Sequence, residues 1–364
     1  MYYICAVMTC LDMISSYLIN KLIPMAATGF AAIMLFVSCH NATDQAFVRI
    51  DYNSFKSVSI ADPCAIDGLI LRSFFLEETS HDYMISSADK IVIKDSIIYI
   101  LDRSQRKIVS FDMNGRPLSF LARRGRGPLE YLQISDFDVD ENGSIFVLDG
   151  QKDKVFEYDK TGSLVFSSEI PFEASFIKLL KDKGFAFGVS AWDYTYPDSR
   201  IVLTDKEIRP VRSISKRVSS LDPNFQFFSI GFSCLKNGDC FYNYPIDDYV
   251  TVLDDSGNLK ETYYMDFGGK TTPGEMRNNI EVYLDRINGY RFLVKGFAVT
   301  DKWIVGCVRE GRMSDFVIDR KNKIRYDIES HSGFGTMAGL SDGYAIFLAE
   351  SDDDRKVLNL LSIE

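Results

Sequence analysis

Histidine, cysteine and clustered charge are where chemistry would begin, and this chain is sparing with the first. It has 3 His in 364 residues: His40, His81 and His331. A site that gathers two or three imidazoles around a metal is thereby nearly excluded. No nucleotide-binding loop, zincin motif or Gly-x-Ser-x-Gly elbow occurs. Carboxylates are plentiful, 51 Asp and Glu in all, but only geometry can rank them as acid and base.

Four groupings remain as candidates. Arg123-Arg124-Gly125-Arg126 is the one dense basic cluster. Guanidinium forks suit carboxylate or phosphate ligands, and the alternative is a solvated loop with its Arg paired to Glu130 and Asp136. Trp192, Tyr194 and Tyr196 form one aromatic, polar loop, and Tyr242 and Tyr244 belong to a second. Exposed Trp and Tyr suit a sugar face or a protein partner, whereas buried ones pack over strand edges. Asp112, Asp159, Asp205, Asp254 and Asp319 each follow an apolar run and precede a polar stretch. They could ring a central ion, but turn capping by Asp is the expected use.

The 7 Cys contain no Cys-x-x-Cys pair, which argues against a zinc ribbon or a thioredoxin-like motif. Cys234 and Cys240 flank Lys236-Asn237-Gly238-Asp239, a hairpin signal. A two-residue Asn-Gly turn would pair Leu235 with Cys240 and turn Cys234 to the opposite face. Buried thiols are then expected, although a three-residue turn would reverse the parity.

These residues must be positioned by some framework, and a repeat supplies it. Asp95 to Asp102, Lys107 to Asp112 and Asn114-Gly115 match Asn142 to Asp149, Lys154 to Asp159 and Thr161-Gly162 without a gap, at an offset of 47 residues. Each unit reads strand, turn, strand, Gly turn, strand. Weaker copies begin at Gly184, Gly238, Asp301 and Asp342. Several strands per unit of roughly fifty residues is the signature of a β-propeller. The expected fold is all-β, a six-bladed β-propeller. The last unit stops after its second clear strand, so Phe47 to Ile60 and Ile66 to Leu76 are expected to complete it from the N-terminus. Such closure removes an exposed edge.

One stretch departs from this texture. Thr272, Pro273 and Glu275 read as N-cap, N1 and N3 of a helix. Ile280, Tyr283, Leu284 and Ile287 continue at helical spacing. A helical excursion between two blades is expected there.

Composition agrees with a single globular β-structure: 46% hydrophobic, 25% charged and 13% aromatic residues. The formal charge of −10 makes generic nucleic-acid binding unfavourable, because phosphate contacts need a basic surface.

Gly125-Arg-Gly-Pro-Leu-Glu-Tyr131, Phe137-Asp-Val-Asp-Glu-Asn-Gly143 and Ile145-Phe-Val-Leu-Asp149 together look like an NHL repeat, with Leu129 in place of the second Gly and Tyr131 in place of Phe. The match runs over about residues 95–166. Ahead of it, the apolar run Ile23 to Val37 has the length of a signal-peptide core. The Phe36-Val37-Ser38-Cys39 that follows resembles a bacterial lipobox. Lys21 would be the positive flank, and a start at Met13 gives the more usual leader.

Taken together, the chain resembles the six-bladed propeller lipoproteins of Bacteroides-type bacteria. The resemblance implies a leader over residues 1–38, lipidation of Cys39, a tether over 39–55 and a propeller over 56–364. It implies a cell-envelope, outer-membrane location through the lipid anchor. The expected role is a non-enzymatic binding or scaffold module for an envelope protein, a peptide or a glycan, without nucleic acid and without a resident metal or cofactor. Arg123, Arg124, Arg126, Trp192, Tyr194, Tyr196, Tyr242 and Tyr244 are the ligand-binding candidates. The alternative is a lactonase-like hydrolase with a Ca²⁺ at the propeller channel. The amidating lyases of related fold lean on several His and a zinc, which this chain's His count disfavours.

Overall fold

The computed structural model describes residues 47–182, 184–216, 231–244, 246–329 and 333–364. The expected leader, Cys39, His40 and His331 lie outside the described residues. Three strands come first: β1 (Val48–Asp51), β2 (Lys56–Ile60) and β3 (Ile70–Phe75). The first repeat group is β4 (Lys90–Lys94), β5 (Ile97–Asp102), β6 (Lys107–Asp112) and β7 (Pro117–Leu121). The second is β8 (Asp136–Val139), β9 (Ile145–Asp149), β10 (Lys154–Tyr158) and β11 (Leu164–Glu169). The third is β12 (Ala174–Leu179), β13 (Phe185–Val189), β14 (Ser199–Thr204) and β15 (Pro210–Lys216). Next come β16 (Phe232–Cys234), β17 (Cys240–Asn243), β18 (Tyr249–Leu253) and β19 (Leu259–Asp266). They are followed by β20 (Phe292–Val299), β21 (Trp303–Glu310), β22 (Arg312–Asp319) and β23 (Ile324–Ile328). The chain closes with β24 (Thr336–Ser341), β25 (Tyr344–Glu350) and β26 (Lys356–Ser362).

Within each group the strands meander antiparallel. The first three groups are separate four-stranded sheets, and β2 makes a fifth strand beside β23. The β16 and β24 groups form one nine-stranded sheet, joined by the single residue pair Cys234 and Ser341. Apolar clusters fill the spaces between successive groups. Leu101, Ile108, Phe137 and Val147 meet between the first and second, and Ile91, Ile98, Ile346 and Leu358 join the last group to the first. The ring of clusters is closed, and the fold is an all-β, propeller-like one. Burial follows from this stacking. β9 and β13 are buried at every position, because both faces are covered, whereas the outer strand β11 alternates half-buried and exposed.

The repeated Asp residues do turn chemistry. Asp112 Oδ1 accepts from the amides of Asn114 at 2.8 Å and Arg116 at 3.0 Å. Asp159, Asp205 and Asp254 accept from the residues two and four positions on in the same way. Asp319 closes a tighter version onto Lys321 and Asn322. The fourth turn position is left-handed. It is glycine in Gly115, where an added Cβ would lie 1.9 Å from the Phe75 carbonyl oxygen.

Three expectations are corrected. The run Ile66 to Leu76 does complete the last group, since β3 pairs antiparallel with β26. Phe47 to Ile60 does not: β1 lies parallel on the outer edge of β19 and β2 parallel on that of β23. Strand pairing therefore begins at Val48, inside the segment expected as tether. Between the two strands the buried Tyr52 packs on Phe267 and Phe316, and the Arg325 guanidinium stacks over its ring at 4.0 Å.

Cys234 and Cys240 form a disulfide, with Cα atoms 4.2 Å apart. The Leu235 amide donates to Asp239 O and the Gly238 amide to Leu235 O. The loop is thus three residues, Lys236 to Gly238, and the two cysteines sit directly opposite each other. The remaining described free thiol is Cys307, which is buried.

The excursion is helical but broken: α1 (Gly274–Asn278) and α2 (Leu284–Ile287). Pro273 is the N-cap, with no side-chain cap, and Thr272 Oγ1 has no hydrogen-bond partner in its buried position. Ile280 and Ile287 are buried against the core beside β20. That docking, rather than capping, holds the segment.

Candidate ligand-binding cavity

Each group's first strand (β4, β8, β12, β16, β20 or β24) lies at the end of its meander opposite the outermost strand. A free inner edge leaves backbone amides and carbonyls without a ladder partner. Here side chains of the preceding group fill that need. Lys90 Nζ donates to the Phe137 carbonyl at 2.8 Å and to Asp136 Oδ1 at 2.8 Å. Asp136 Oδ2 accepts from the Ile177 amide, and Asp138 Oδ2 from the Leu179 amide and from Lys178 Nζ. Asn243 Nδ2 donates to Lys295 O, and Lys295 Nζ to Met337 O. Asp315 Oδ2 accepts from the Met337 amide. Ser341 Oγ serves both the amide and the carbonyl of Ile93.

The electrostatics follow from these contacts. Burial pushes the Asp138 carboxyl up, but the Lys178 and Lys90 ammoniums and the Leu179 amide outweigh it and hold the group below the usual carboxylate range. In Asp315 burial outweighs the Cys307 and Met337 hydrogen bonds and the Lys295 ammonium. Burial thus raises it, and burial with the Asp315 charge raises the Cys307 thiol as well. That thiol is an inert core group rather than a nucleophile.

Where β4, β8, β16 and β24 end, a cavity of about 770 Å³ opens. Phe146, Phe185, Phe232 and Leu340 line it together with the inner-strand charges Lys90, Asp138 and Lys178. The turns that follow the inner strands contribute Asn142, Asn237 and Asp342 to the lining, and the end of β4 contributes Lys94. The disulfide belongs to the same lining. Burial raises the Asp342 carboxyl against the opposing pull of Lys236 and Lys94. Among the described residues, no three His, Cys, Asp or Glu side chains converge as a metal site, and no helix is long and apolar enough to cross a membrane.

A second buried ionic cluster lies in the loop between β17 and β18. Asp247 pairs with Arg200 of β14, and Asp248 pairs with Arg277 of α1 at 2.6 Å. Asp248 Oδ1 also accepts from the Leu293 amide, and Arg277 Nε donates to Thr272 O. Burial pushes Asp248 up to about 7, with Arg277 opposing. The cluster ties the helical excursion and the first residues of β20 to the preceding group.

The residues selected from sequence fall elsewhere. None of Arg123, Arg124, Arg126, Trp192, Tyr194, Tyr196, Tyr242 and Tyr244 lines the cavity. The three Arg are exposed in the segment after β7. Tyr194 is 90% exposed. Trp192 is half-buried and donates to Glu173 Oε2, and the half-buried Tyr196 packs edge-on against Phe172. Tyr242 is a correction: it lies in β17, not in a loop, and is fully buried beside Phe176 and Phe232. Gly188 gives its ring room, since a Cβ there would lie 2.6 Å from it. Tyr244 packs half-buried on Phe176.

The inner-strand charges Lys90, Asp136, Asp138 and Lys178 escaped the sequence reading. Their signal is charge at alternate positions within short apolar runs, as in Asp136-Phe137-Asp138-Val139.

The fold and the match to known proteins agree. A protein from Bacteroides fragilis described as exported superposes with a TM-score of 0.67 at 16% identity, over 85% of this chain and 99% of that one. A member of the DUF4221 family from Bacteroides vulgatus gives 0.53 at 10% identity, over 80% and 96%. Virginiamycin B lyase from Staphylococcus aureus gives 0.43 at 12% identity, over 74% and 79%. The first two establish the fold alone. No curated protein matches the sequence. A family model described as a domain of unknown function, DUF4934, matches residues 78–359. That span runs from the approach to β4 into β26, and the chain belongs to the DUF4934 family.

Proposed function

We propose that this chain is a six-bladed propeller, tethered to the cell envelope by a lipid on Cys39, that binds a protein, peptide or glycan without chemical turnover. The blade count is supported by the weak joint in the nine-stranded sheet, one residue pair between two complete meanders. Divided there, the sheets number six, each with an inner strand and an outer partner strand. An extracytoplasmic location is supported by the Cys234–Cys240 disulfide, because such bonds persist in oxidising compartments.

One observation carries the binding reading. The charges on the inner strands are bonded to the backbone of neighbouring strands, as Lys90 is to Phe137 O and Asp138 to the Leu179 amide. The cavity they line combines the apolar Phe146, Phe185, Phe232 and Leu340 with charged and amide side chains, the usual make-up of a recognition pocket.

The test uses the full chain, purified with its anchor, on peptide and glycan arrays. A ligand captured by the native protein and lost with the mouth-crowding pair Asn142→Trp and Asn237→Trp supports the reading. Calcium-dependent hydrolysis of a lactone, abolished by the same pair, would replace it with the lactonase reading. Cys39→Ala should move the protein from the membrane to the soluble fraction, and retention in the membrane overturns the anchor.

A further inference from the structure

We propose that the free edge of β7 accepts an extended segment of a partner protein as a parallel strand, with apolar residues at alternate positions and acidic residues at its C-terminal end. The surface is separate from the cavity, so it stands or falls independently of the proposal above.

The molecule already performs this operation on itself. β1 adds parallel to the outer edge of β19, and β2 parallel to that of β23. The added strands carry apolar residues at every second position, Val48 and Ile50 in one, Val58 and Ile60 in the other. An extended chain gains backbone hydrogen bonds at such an edge, and alternate side chains give it specificity. The outer edges of β3, β7, β11 and β15 have no added strand among the described residues.

Of these, β7 is built differently. Leu118 and Phe120, two residues apart and so on one face, are 49% and 43% exposed. Phe120 meets Tyr83 edge-on at 5.8 Å, and Met84 beside Tyr83 is 50% exposed. In β3, Ile70 and Phe75 fall on opposite faces, while β11 and β15 expose one large apolar residue each, Val165 and Val211. A contiguous apolar strip on an open edge marks an interaction site or an aggregation hazard.

Charge selects the occupant. Immediately after β7 come Arg123, Arg124 and Arg126, all exposed and in no ion pair among the described residues. Of the neighbouring acids, Asp136 is paired with Lys90, while Glu130 lies against Gly125 and accepts from the Gly127 amide without an ion pair to any of the three. Arg123 Nε donates to the Gly162 carbonyl, which leaves Arg124 and Arg126 as the guanidiniums that no hydrogen bond engages among the described residues. In a chain of net charge −10, this is a local reversal of sign. A guest parallel to β7 runs toward the three Arg, which places its carboxylates at its C-terminal end, within reach of guanidinium forks.

The probe is a fluorescein-labelled peptide, Thr-Val-Ser-Val-Ser-Ile-Asp-Glu-Glu, titrated with the full chain and followed by anisotropy. A control peptide ends in Lys-Lys-Lys. Saturable binding is expected for the acidic peptide. It should weaken about tenfold or more, roughly 1.4 kcal/mol, in Phe120→Lys and in the double variant Arg124→Glu, Arg126→Glu. Leu118→Lys serves as a second edge variant, and circular dichroism checks that each is folded. The cavity variant Asn142→Trp should leave the peptide's affinity unchanged. Absence of binding, equal binding of the lysine-ended peptide, or affinity untouched by the β7 and Arg variants overturns the proposal.

Discussion

Ser341 Oγ stands between the amide and the carbonyl of Ile93, accepting from the first at 3.0 Å and donating to the second at 3.2 Å. One hydroxyl thereby closes the inner edge of β4 with a residue from β24, the first strand of the last group. The separation is 248 residues, so the contact depends on the whole ring having formed.

Ser341→Ala leaves both backbone groups of Ile93 buried without a partner. Orphaned groups of this kind cost about 1–3 kcal/mol. The variant should lower the urea midpoint with little change in the denaturant slope. Wild-type stability in Ser341→Ala would mean that water replaces the hydroxyl.

Lys90 and Asp136 pair with side chains 5% and 1% exposed. Removing one partner of a buried pair leaves an uncompensated charge, a loss of about 3–5 kcal/mol. Lys90→Met should show that loss. Adding Asp136→Asn should return about 1–2 kcal/mol of it, since the amide oxygen can still accept from the Ile177 amide. A fully additive cycle in equilibrium unfolding would refute the coupling.

Tyr52 fastens the segment between β1 and β2. The Arg325 and Arg291 guanidiniums lie over its ring, Phe267 and Phe316 meet it edge-on, and its carbonyl accepts from Arg325 Nη1 at 2.8 Å. Large-to-small changes at buried aromatics cost about 3–5 kcal/mol. Tyr52→Ala should lose that much and expose β1 and β2 to proteolysis first. Tyr52→Phe removes only the bond to Asp327 and should cost about 1 kcal/mol.

The repeat was legible because its signals are local. An apolar run followed by Asp, a polar residue and Gly specifies strand and turn together, and the turn bonds of Asp112, Asp159 and Asp254 bear this out. What escaped was non-local. The pattern of Val48 to Asp51 marks an edge strand but not which edge it joins. The Cys234–Cys240 parity hung on one loop residue. Tyr242 and Tyr244 look equivalent in the sequence, yet β17 ends at Asn243, and only the first is in the core. The alternation Asp136-Phe137-Asp138-Val139 marks the inner-strand carboxylates, but not their acceptor duty, which is to another group's backbone.

Two sets of carboxylates predict opposite pH dependences. The Arg116 and Asn114 amides hold Asp112 below its usual range, and the Thr161 hydroxyl and Ser163 amide do so for Asp159. In Asp205 and Asp254 burial pushes up but the turn bonds outweigh it. A depressed carboxylate contributes stability above its unfolded value of about 3.9, and that contribution is lost as pH falls through the folded value. Asp248 has the opposite sign, because burial raises it to about 7. Its contribution is complete below the unfolded value and is lost as pH rises through about 7. Stability of the wild type should therefore fall on the acid side as the turn carboxylates protonate, and fall again as pH rises between about 4 and 7 through Asp248. Asp248→Asn, which keeps a neutral acceptor for Arg277 but removes the titration, should flatten the second slope and keep the first. Parallel pH profiles for the two proteins, from urea midpoints, would show that the Arg277 pairing keeps Asp248 ionised throughout.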